Sequence, residues 1–168
     1  STQRTHARSA KSRPQRRYPV FQATRGATAA GRGRLARVRQ DGATASRLSA
    51  VGIRTIKDLL AVSPDGAAAQ IKVKHINASL IRDWQSQAEL ACTIPNLTSA
   101  GAQLLVATGV RDADDLAGAD TDTLLAMLEE YAQTSEGQRI LREGAPPKRD
   151  DIDRWIGAAK ESTAKRAA

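Results

Sequence analysis

The chain has 168 residues, and its 26 Lys and Arg outnumber its 18 Asp and Glu, so the formal net charge at pH 7 is +8. A single cysteine excludes a disulfide framework and a cysteine-based metal site. No apolar stretch approaches the ~20 residues that cross a bilayer, so we predict that the chain is not transmembrane.

The positive charge is concentrated at the start of the chain. Residues 1–40 contain eleven Lys and Arg and no Asp or Glu, whereas residues 41–168 contain fifteen basic and all eighteen acidic residues. Residues 1–34, which we call the basic arm, have little apolar periodicity, so we expect them to be disordered unless a partner binds them. Their Arg- and Ser-rich, acid-free composition is also typical of an organellar transit peptide.

One apolar cluster interrupts the basic arm. Residues 18–21 read Tyr-Pro-Val-Phe, and Pro19 favours an extended backbone at Tyr18. We interpret these four residues as an anchor that docks in a groove of a partner; the alternative is a solvated tail with a chance aromatic pair. The positive charges suit RNA or DNA phosphates, an acidic protein surface or anionic lipid headgroups. The candidate partner-binding residues are Arg8, Arg13, Arg16, Arg17, Tyr18, Phe21, Arg25, Arg32 and Arg34.

The rest of the chain contains an internal repeat. A shift of 57 residues aligns segment 48–65 with segment 105–122, with seven identities in eighteen positions. Gly52 and Gly109 form one identical pair, and each follows a helical run and precedes a β-branched residue. This pattern is typical of a Schellman motif, in which the glycine takes the left-handed conformation. The other identical pairs are Leu48/Leu105, Ala50/Ala107, Arg54/Arg111, Asp58/Asp115, Leu59/Leu116 and Asp65/Asp122.

Helix start signals follow each glycine. Thr55 and Asp112 occupy matching N-cap positions, and a second pair of caps follows at Ser63 and Asp120. Each unit then continues into a helix with an apolar stripe that includes one tryptophan. The stripes are Ile76, Leu80, Trp84, Ala88 and Ala91 in the first unit, and Ile152, Trp155, Ile156 and Ala159 in the second.

These patterns contain no credible strand, so we predict an all-α fold. The predicted organisation is the basic arm, a first helical repeat over residues 35–92 and a second over residues 93–168. Alignment of Trp84 with Trp155 requires a shift of 71, so the second repeat carries about fourteen extra residues, which we place within 130–148.

The second repeat also resembles a known family. The similarity rests on Ile-Pro-Asn-Leu at 94–97, Gly-Val-Arg at 109–111, Asp-Leu-Ala at 115–117 and Asp-Ile-Asp-Arg-Trp-Ile at 151–156. This pattern resembles the helix-hairpin-helix-like bacterial family called domain of unknown function 4332, over about residues 36–160. The resemblance implies a compact tandem domain of helix-hairpin-helix or SAM-like helical repeats, with no activity attached to it.

The hairpins depart from the pattern used by DNA-binding relatives of this architecture. Those proteins use a glycine-bearing hairpin whose backbone N–H groups cradle a phosphate. Here Asn96 and Thr98 replace the hairpin glycines, and residues 37–41 of the first repeat do not match a hairpin. No Lys or Arg occurs from Gln85 to Val110. We therefore do not expect the helical body to bind DNA through this fold.

No set of residues predicts catalysis, a cofactor or a metal. Cys92 has no His near it in the sequence, and we expect it to be a buried structural cysteine. His6 and His75 lie in separate regions and do not form a metal-binding pattern. The acidic run over residues 112–122 lacks EF-hand spacing, and helix caps with a solvated face explain it. We expect a protein that is not an enzyme.

Two functional hypotheses follow. The first is a non-catalytic accessory or scaffold subunit that binds the protein subunits of a large assembly through its basic arm and helical body. Because the resembling family is frequent in cyanobacteria, we favour a plastid, on the stromal side of the thylakoid with a photosystem, over a mitochondrion or a bacterial cytoplasm. The alternative is a nucleic-acid-binding protein, such as an organellar ribosomal or nucleoid component, that grips phosphates through the arm.

Overall fold

A computed structural model describes residues 42–142 and 144–168, which form helices joined by short turns, with no strand among them. The predicted all-α fold is confirmed for this part of the chain. Its nine helices are α1 (Gly42–Ala50), α2 (Ile56–Ala61), α3 (Pro64–Ile71), α4 (Ala78–Thr93), α5 (Ser99–Ala107), α6 (Ala113–Ala117), α7 (Thr121–Ala132), α8 (Ser135–Leu141) and α9 (Arg149–Ala167).

Polar side chains begin most of these helices by accepting a hydrogen bond from a backbone N–H one turn later. The Thr55 hydroxyl accepts from the Asp58 N–H at 3.0 Å, and Ser63 caps α3 in the same way. Asp112 and Asp120 cap α6 and α7. Helices shorter than ~12 residues are marginal in water, so caps worth about 1 kcal/mol each help to fix where these short helices start. Further caps are Asn77 for α4, Thr98 for α5 and Thr134 for α8.

Two glycines end α1 and α5 with the same geometry. Gly52 has a φ of +87° and Gly109 a φ of +100°, both in the left-handed region. In each case the residue after the glycine donates its N–H to the carbonyl five residues earlier, which is the Schellman hydrogen bond. These bonds join Ile53 to Leu48 and Val110 to Leu105, both at 2.9 Å.

A hydrogen bond from an arginine backbone N–H to an aspartate side chain then connects each glycine turn to the next helix. The Arg54 N–H donates to the Asp58 carboxylate at 3.0 Å, and the Thr55 N–H donates to the same oxygen at 2.8 Å. After α5, the Arg111 N–H donates to the Asp115 carboxylate at 2.9 Å. The two turns therefore share their helix-ending glycine and their helix-starting carboxylate.

The buried apolar side chains form two clusters that both include α4. Trp84 and Ala88 of α4 belong to the first cluster, with residues of α1 to α3, whereas Leu90 belongs to the second, with residues of α5 to α7 and α9. Helices α2 and α3 pack on α4, as α5 does, and α6 and α7 pack on α9. The predicted division at residues 92 and 93 lies at the end of α4, and the separation into two domains stays a prediction.

Two polar contacts connect α4 with its neighbours. The Gln85 side-chain amide donates to the carbonyls of Leu59 and Val62 at 2.8 and 2.9 Å, which satisfies carbonyl groups at the end of α2. The Arg111 guanidinium donates to the Asp83 carboxylate at 2.8 Å, which ties the turn after α5 to α4.

The predicted burial of Cys92 is wrong, because this residue is exposed. Leu90 is fully buried, and a residue two positions later on a helix points about 200° away from it. Packing on one side of the thiol raises the pKa of Cys92 above its usual value, so the thiolate fraction at neutral pH is small.

The extra residues of the second half contain a helix that the sequence patterns did not predict. Helix α8 lies within segment 130–148 and packs against α5 and α7. Its apolar content is small, with Ile140 and Leu141 partly buried, so its periodicity was too weak to detect. The Gln138 side-chain amide donates to the Ala132 carbonyl at 2.7 Å and fixes α8 to the end of α7.

We expect Gly52→Ala and Gly109→Ala each to lower the free energy of unfolding by roughly 1–2 kcal/mol, because alanine is penalised in the left-handed conformation. A Cβ at either position would meet nothing within 4 Å, so the cost is conformational. Gly157 of α9 has equally open surroundings and is the matched control: Gly157→Ala should raise stability by roughly 0.5–1 kcal/mol. Urea titrations followed by circular dichroism test this, and equal effects at all three sites would contradict it.

We expect the acid sensitivity of folding to be smaller in Asp58→Asn than in the wild type. The hydrogen bond from the Arg54 N–H, followed by that from Thr55, lowers the pKa of Asp58 below its usual value. The stabilisation is therefore present above the unfolded-state pKa of about 3.9 and is lost as pH falls through the lower folded-state pKa. Thermal melts between neutral pH and about pH 2 measure this. Glu161→Gln, at an exposed position of α9, should keep the wild-type pH dependence; the same dependence in Asp58→Asn would refute the assignment.

Candidate functional site

The residues predicted to bind a partner lie outside the described residues, so their role stays a prediction. All of them belong to the basic arm. They are Arg8, Arg13, Arg16, Arg17, Tyr18, Phe21, Arg25, Arg32 and Arg34.

The four residues predicted to have structural roles lie in the described part of the chain. Trp84 is 1% exposed in the first cluster, and Trp155 is 5% exposed in the second. Gly52 and Gly109 form the two left-handed turns. The structure does not bring the four together into one site. The two tryptophans belong to different clusters, and the two glycines end different helices.

A tight turn at residues 94–98 joins α4 to α5, which pack against each other. Asn96 has a φ of +59°, and asparagine is among the few residues other than glycine that adopt the left-handed region readily. The Thr98 hydroxyl accepts a hydrogen bond from the Gly101 N–H at 3.0 Å. The two residues that replace glycines therefore still form a tight turn. The Gly101 N–H, which would otherwise be free to donate to a bound phosphate, already donates to the Thr98 hydroxyl.

Beside this turn lies an open cavity of about 240 Å³. The buried side chains of Leu104 and Trp155 line it, together with Asn96 and Thr98 from the turn. Segment 145–148 (Ala-Pro-Pro-Lys) lines the side towards α9. An apolar lining with a few polar groups suits the binding of an apolar side chain or ring.

The acidic group at the cavity is held by its neighbours. The Lys148 N–H donates to the Asp151 carboxylate at 3.0 Å, and the Arg154 guanidinium also contacts this carboxylate. The Lys148 hydrogen bond is the main reason that the pKa of Asp151 is lowered, so Asp151 is ionised at neutral pH. Within residues 42–142 and 144–168, no group of three or more His, Cys, Asp or Glu is placed to hold a metal ion.

Five arginines of the described residues, at the cavity and elsewhere, pair with carboxylates. Each such pair contributes at most ~1 kcal/mol to stability, but it neutralises charge that would otherwise face solvent or a partner. The pairs are Arg82–Asp65, Arg111–Asp83, Arg149–Asp122, Arg154–Asp151 and Arg166–Asp114.

None of the helices described here is long and apolar enough to cross a membrane.

No pattern in the sequence predicts the cavity. Its lining comes from the α4–α5 turn, α5, the end of α8, segment 145–148 and α9, which are far apart along the chain. The two consecutive prolines at 146 and 147 were the available signal, and they indicated a break before the last helix. They do not indicate where segment 145–148 packs in the folded chain.

Comparison with known proteins identifies a family. The sequence model of the family described as Domain of unknown function (DUF4332) matches residues 41–162. No curated protein matches the chain, and no solved structure matches it. The matched residues extend from the start of α1 into α9, and the chain therefore belongs to the DUF4332 family.

Proposed function

We propose that the protein is a non-catalytic accessory or scaffold subunit of a larger protein assembly. The basic arm supplies most of the anchoring, and the helical body, residues 42–168, makes the remaining protein contacts. The observation that carries this proposal is the separation of charge along the chain. The basic arm has nine Lys and Arg and no acid, whereas the helical body has fifteen basic and seventeen acidic residues.

The helical body neutralises much of its own charge. Five of its arginines, among them Arg82 and Arg111, pair with its carboxylates. An arginine that already contacts a carboxylate has less to gain from a partner. The arm has no acid of its own, and each Lys or Arg near an anionic membrane surface contributes on the order of 1 kcal/mol. The arm is therefore the stronger electrostatic anchor.

We further propose that the helical body consists of two copies of one helix-hairpin-helix-like unit. The matching turns after Gly52 and Gly109 support this duplication. So does a pair of similar contacts, in which an aspartate at a matching position in the first turn of a helix pairs with an arginine on a packed neighbour, although the two arginines are not at matching positions. These contacts are Asp65 of α3 with Arg82 of α4, and Asp122 of α7 with Arg149 of α9.

The turn between α4 and α5 favours a protein partner for the body. A phosphate at such a hairpin needs free backbone N–H groups and positive charge nearby. Thr98 accepts the Gly101 N–H, and residues 85–110 contain no Lys or Arg. Because these features weaken phosphate binding, a nucleic-acid role would depend on the arm.

We propose a plastid location, on the stromal side of the thylakoid. The support is that residues 1–34 share the Arg- and Ser-rich, acid-free composition of organelle-targeting segments. In this proposal the segment is retained in the mature chain, where it serves as the anchor. A mitochondrion and a bacterial cytoplasm remain the alternatives, and fractionation of cells with an antibody against the chain distinguishes them.

A nucleic-acid-binding role is the second candidate, favoured by the eleven Lys and Arg without an acid in residues 1–40. Binding through several phosphate contacts weakens steeply with salt, with a slope close to the number of contacts. A steep slope for a duplex or single-stranded probe, lost on removal of the arm, would favour this candidate over the first.

Deletion of residues 1–34 should release a folded helical body from the assembly. We expect the tagged full chain to sediment with a large complex in a gradient of cell extract, and the truncated chain to sediment as a small protein. Circular dichroism should show that the truncated chain remains helical. A truncated chain that stays in the large complex would place the anchoring on a helical face instead.

A matched control separates charge from length. Replacement of the nine Lys and Arg of the basic arm by Gln keeps the length of the chain and should release it in the same way. Replacement of the eight arginines among them by Lys keeps the charge and should leave the chain in the complex. Loss of the complex after nuclease treatment would favour the nucleic-acid role.

A further inference from the structure

The cavity beside the α4–α5 turn is large enough for an aromatic ring. An enclosed apolar cavity of about 150 Å³ accommodates benzene, and this open cavity measures about 240 Å³. Trp155, which is 5% exposed, lines it together with the fully buried Leu104, and Pro146 and Pro147 lie along its edge. Aromatic pairs contribute about 0.5–1.5 kcal/mol beyond the apolar area that they bury, so Trp155 favours an aromatic occupant.

Two of the five aromatic residues of the chain are three positions apart in the sequence of the basic arm. Trp84 and Trp155 are buried in the clusters, and Tyr131 is partly buried against the second cluster. Tyr18 and Phe21 belong to residues 18–21 (Tyr-Pro-Val-Phe), which we call the aromatic segment. It is the apolar part of an otherwise polar and basic arm.

The chain between the aromatic segment and α1 is long enough for the aromatic segment to reach any part of the surface of the helical body, including the cavity. A body of 127 residues has an expected radius of gyration of about 14 Å. The 20 residues between Phe21 and Gly42 span at most about 70 Å when fully extended. Such a tether keeps the aromatic segment at a high effective concentration, on the order of millimolar, near its own helical body.

The charges of the two parts are complementary. The aromatic segment is flanked by Arg16, Arg17 and Arg25, all within an arm that has no acid. Residues 93–168, which include the whole cavity lining, carry thirteen acidic and nine basic side chains. This attraction brings the arm towards the acidic half of the body, and the aromatic side chains then select the apolar cavity.

We propose that the aromatic segment docks in the cavity beside Trp155 of its own chain. Tyr18 or Phe21 places its ring against Trp155, and the neighbouring arginines face the acidic surface of the second half. A partner of the arm then competes with this internal site, so docking regulates how readily the arm is available. The proposal does not depend on which partner the arm binds.

Paramagnetic broadening in the full-length chain tests this docking. A nitroxide is attached at Ala23→Cys in a Cys92→Ser background, and the indole N–H resonances of the two tryptophans are recorded with the label oxidised and reduced. We expect the Trp155 signal to lose most of its intensity with the oxidised label, and the Trp84 signal to keep most of it. Equal retention of both signals, or equal loss of both, would overturn the proposal.

Variants on both sides of the contact make the test specific. Tyr18→Ser with Phe21→Ser should restore the Trp155 signal, and Tyr18→Phe, which keeps the ring, should not. Ala100→Arg, at a half-buried position that lines the cavity, should also restore the signal in a chain whose melting curve remains cooperative. Broadening that persists in the double serine variant would mean that charge alone holds the arm, and the proposal would be wrong.

A mixed sample identifies whose arm is bound. Chains that carry the nitroxide but no isotope label are mixed with isotope-labelled chains that carry no nitroxide. An unbroadened Trp155 signal in this mixture supports docking within one chain. Broadening there would assign the cavity to the arm of a second copy and would overturn the intramolecular proposal.

Discussion

The packing of the described residues depends on helix α4, because both hydrophobic clusters use it. Trp84 and Ala88 belong to one cluster and Leu90 to the other, on a single helix of 16 residues. Most of the stability of a helix in a protein comes from tertiary packing rather than from intrinsic propensity, so packing on both halves stabilises α4. Loss of either cluster would uncover half of α4 and weaken the surface on which the other cluster packs. We infer that the two clusters unfold together, even though each has its own set of helices.

Short-range interactions made part of this fold predictable. The left-handed glycines at 52 and 109, the caps at Thr55 and Asp112 and the all-helical class all follow from residues within about five positions of one another. The sequence pattern carries this information because glycine without a Cβ and a side-chain oxygen at an N-cap act on their own backbone. The repeat made these signals easier to detect, since each of them occurs twice with the same spacing.

The features that could not be predicted from the sequence depend on packing between residues far apart along the chain. The exposure of Cys92 depends on which face of α4 meets α5, and a stripe of alanines at the end of α4 does not specify that face. Helix α8 has little apolar periodicity and is held by α5 and α7. The cavity exists because segment 145–148 and α9 lie against the start of α5, more than forty residues earlier in the chain. None of these contacts has a local signature.

The uneven distribution of charge also means that a single cleavage would reverse the sign of the net charge. The intact chain has an isoelectric point of about 10.2. A cut after residue 40 leaves a product with fifteen basic and eighteen acidic side chains, so the sign of its net charge is reversed. The two forms would bind to opposite ion-exchange resins at neutral pH while sharing the same helices. In a cell, one cleavage would turn a molecule attracted to anionic surfaces into one repelled by them, without any change in its fold.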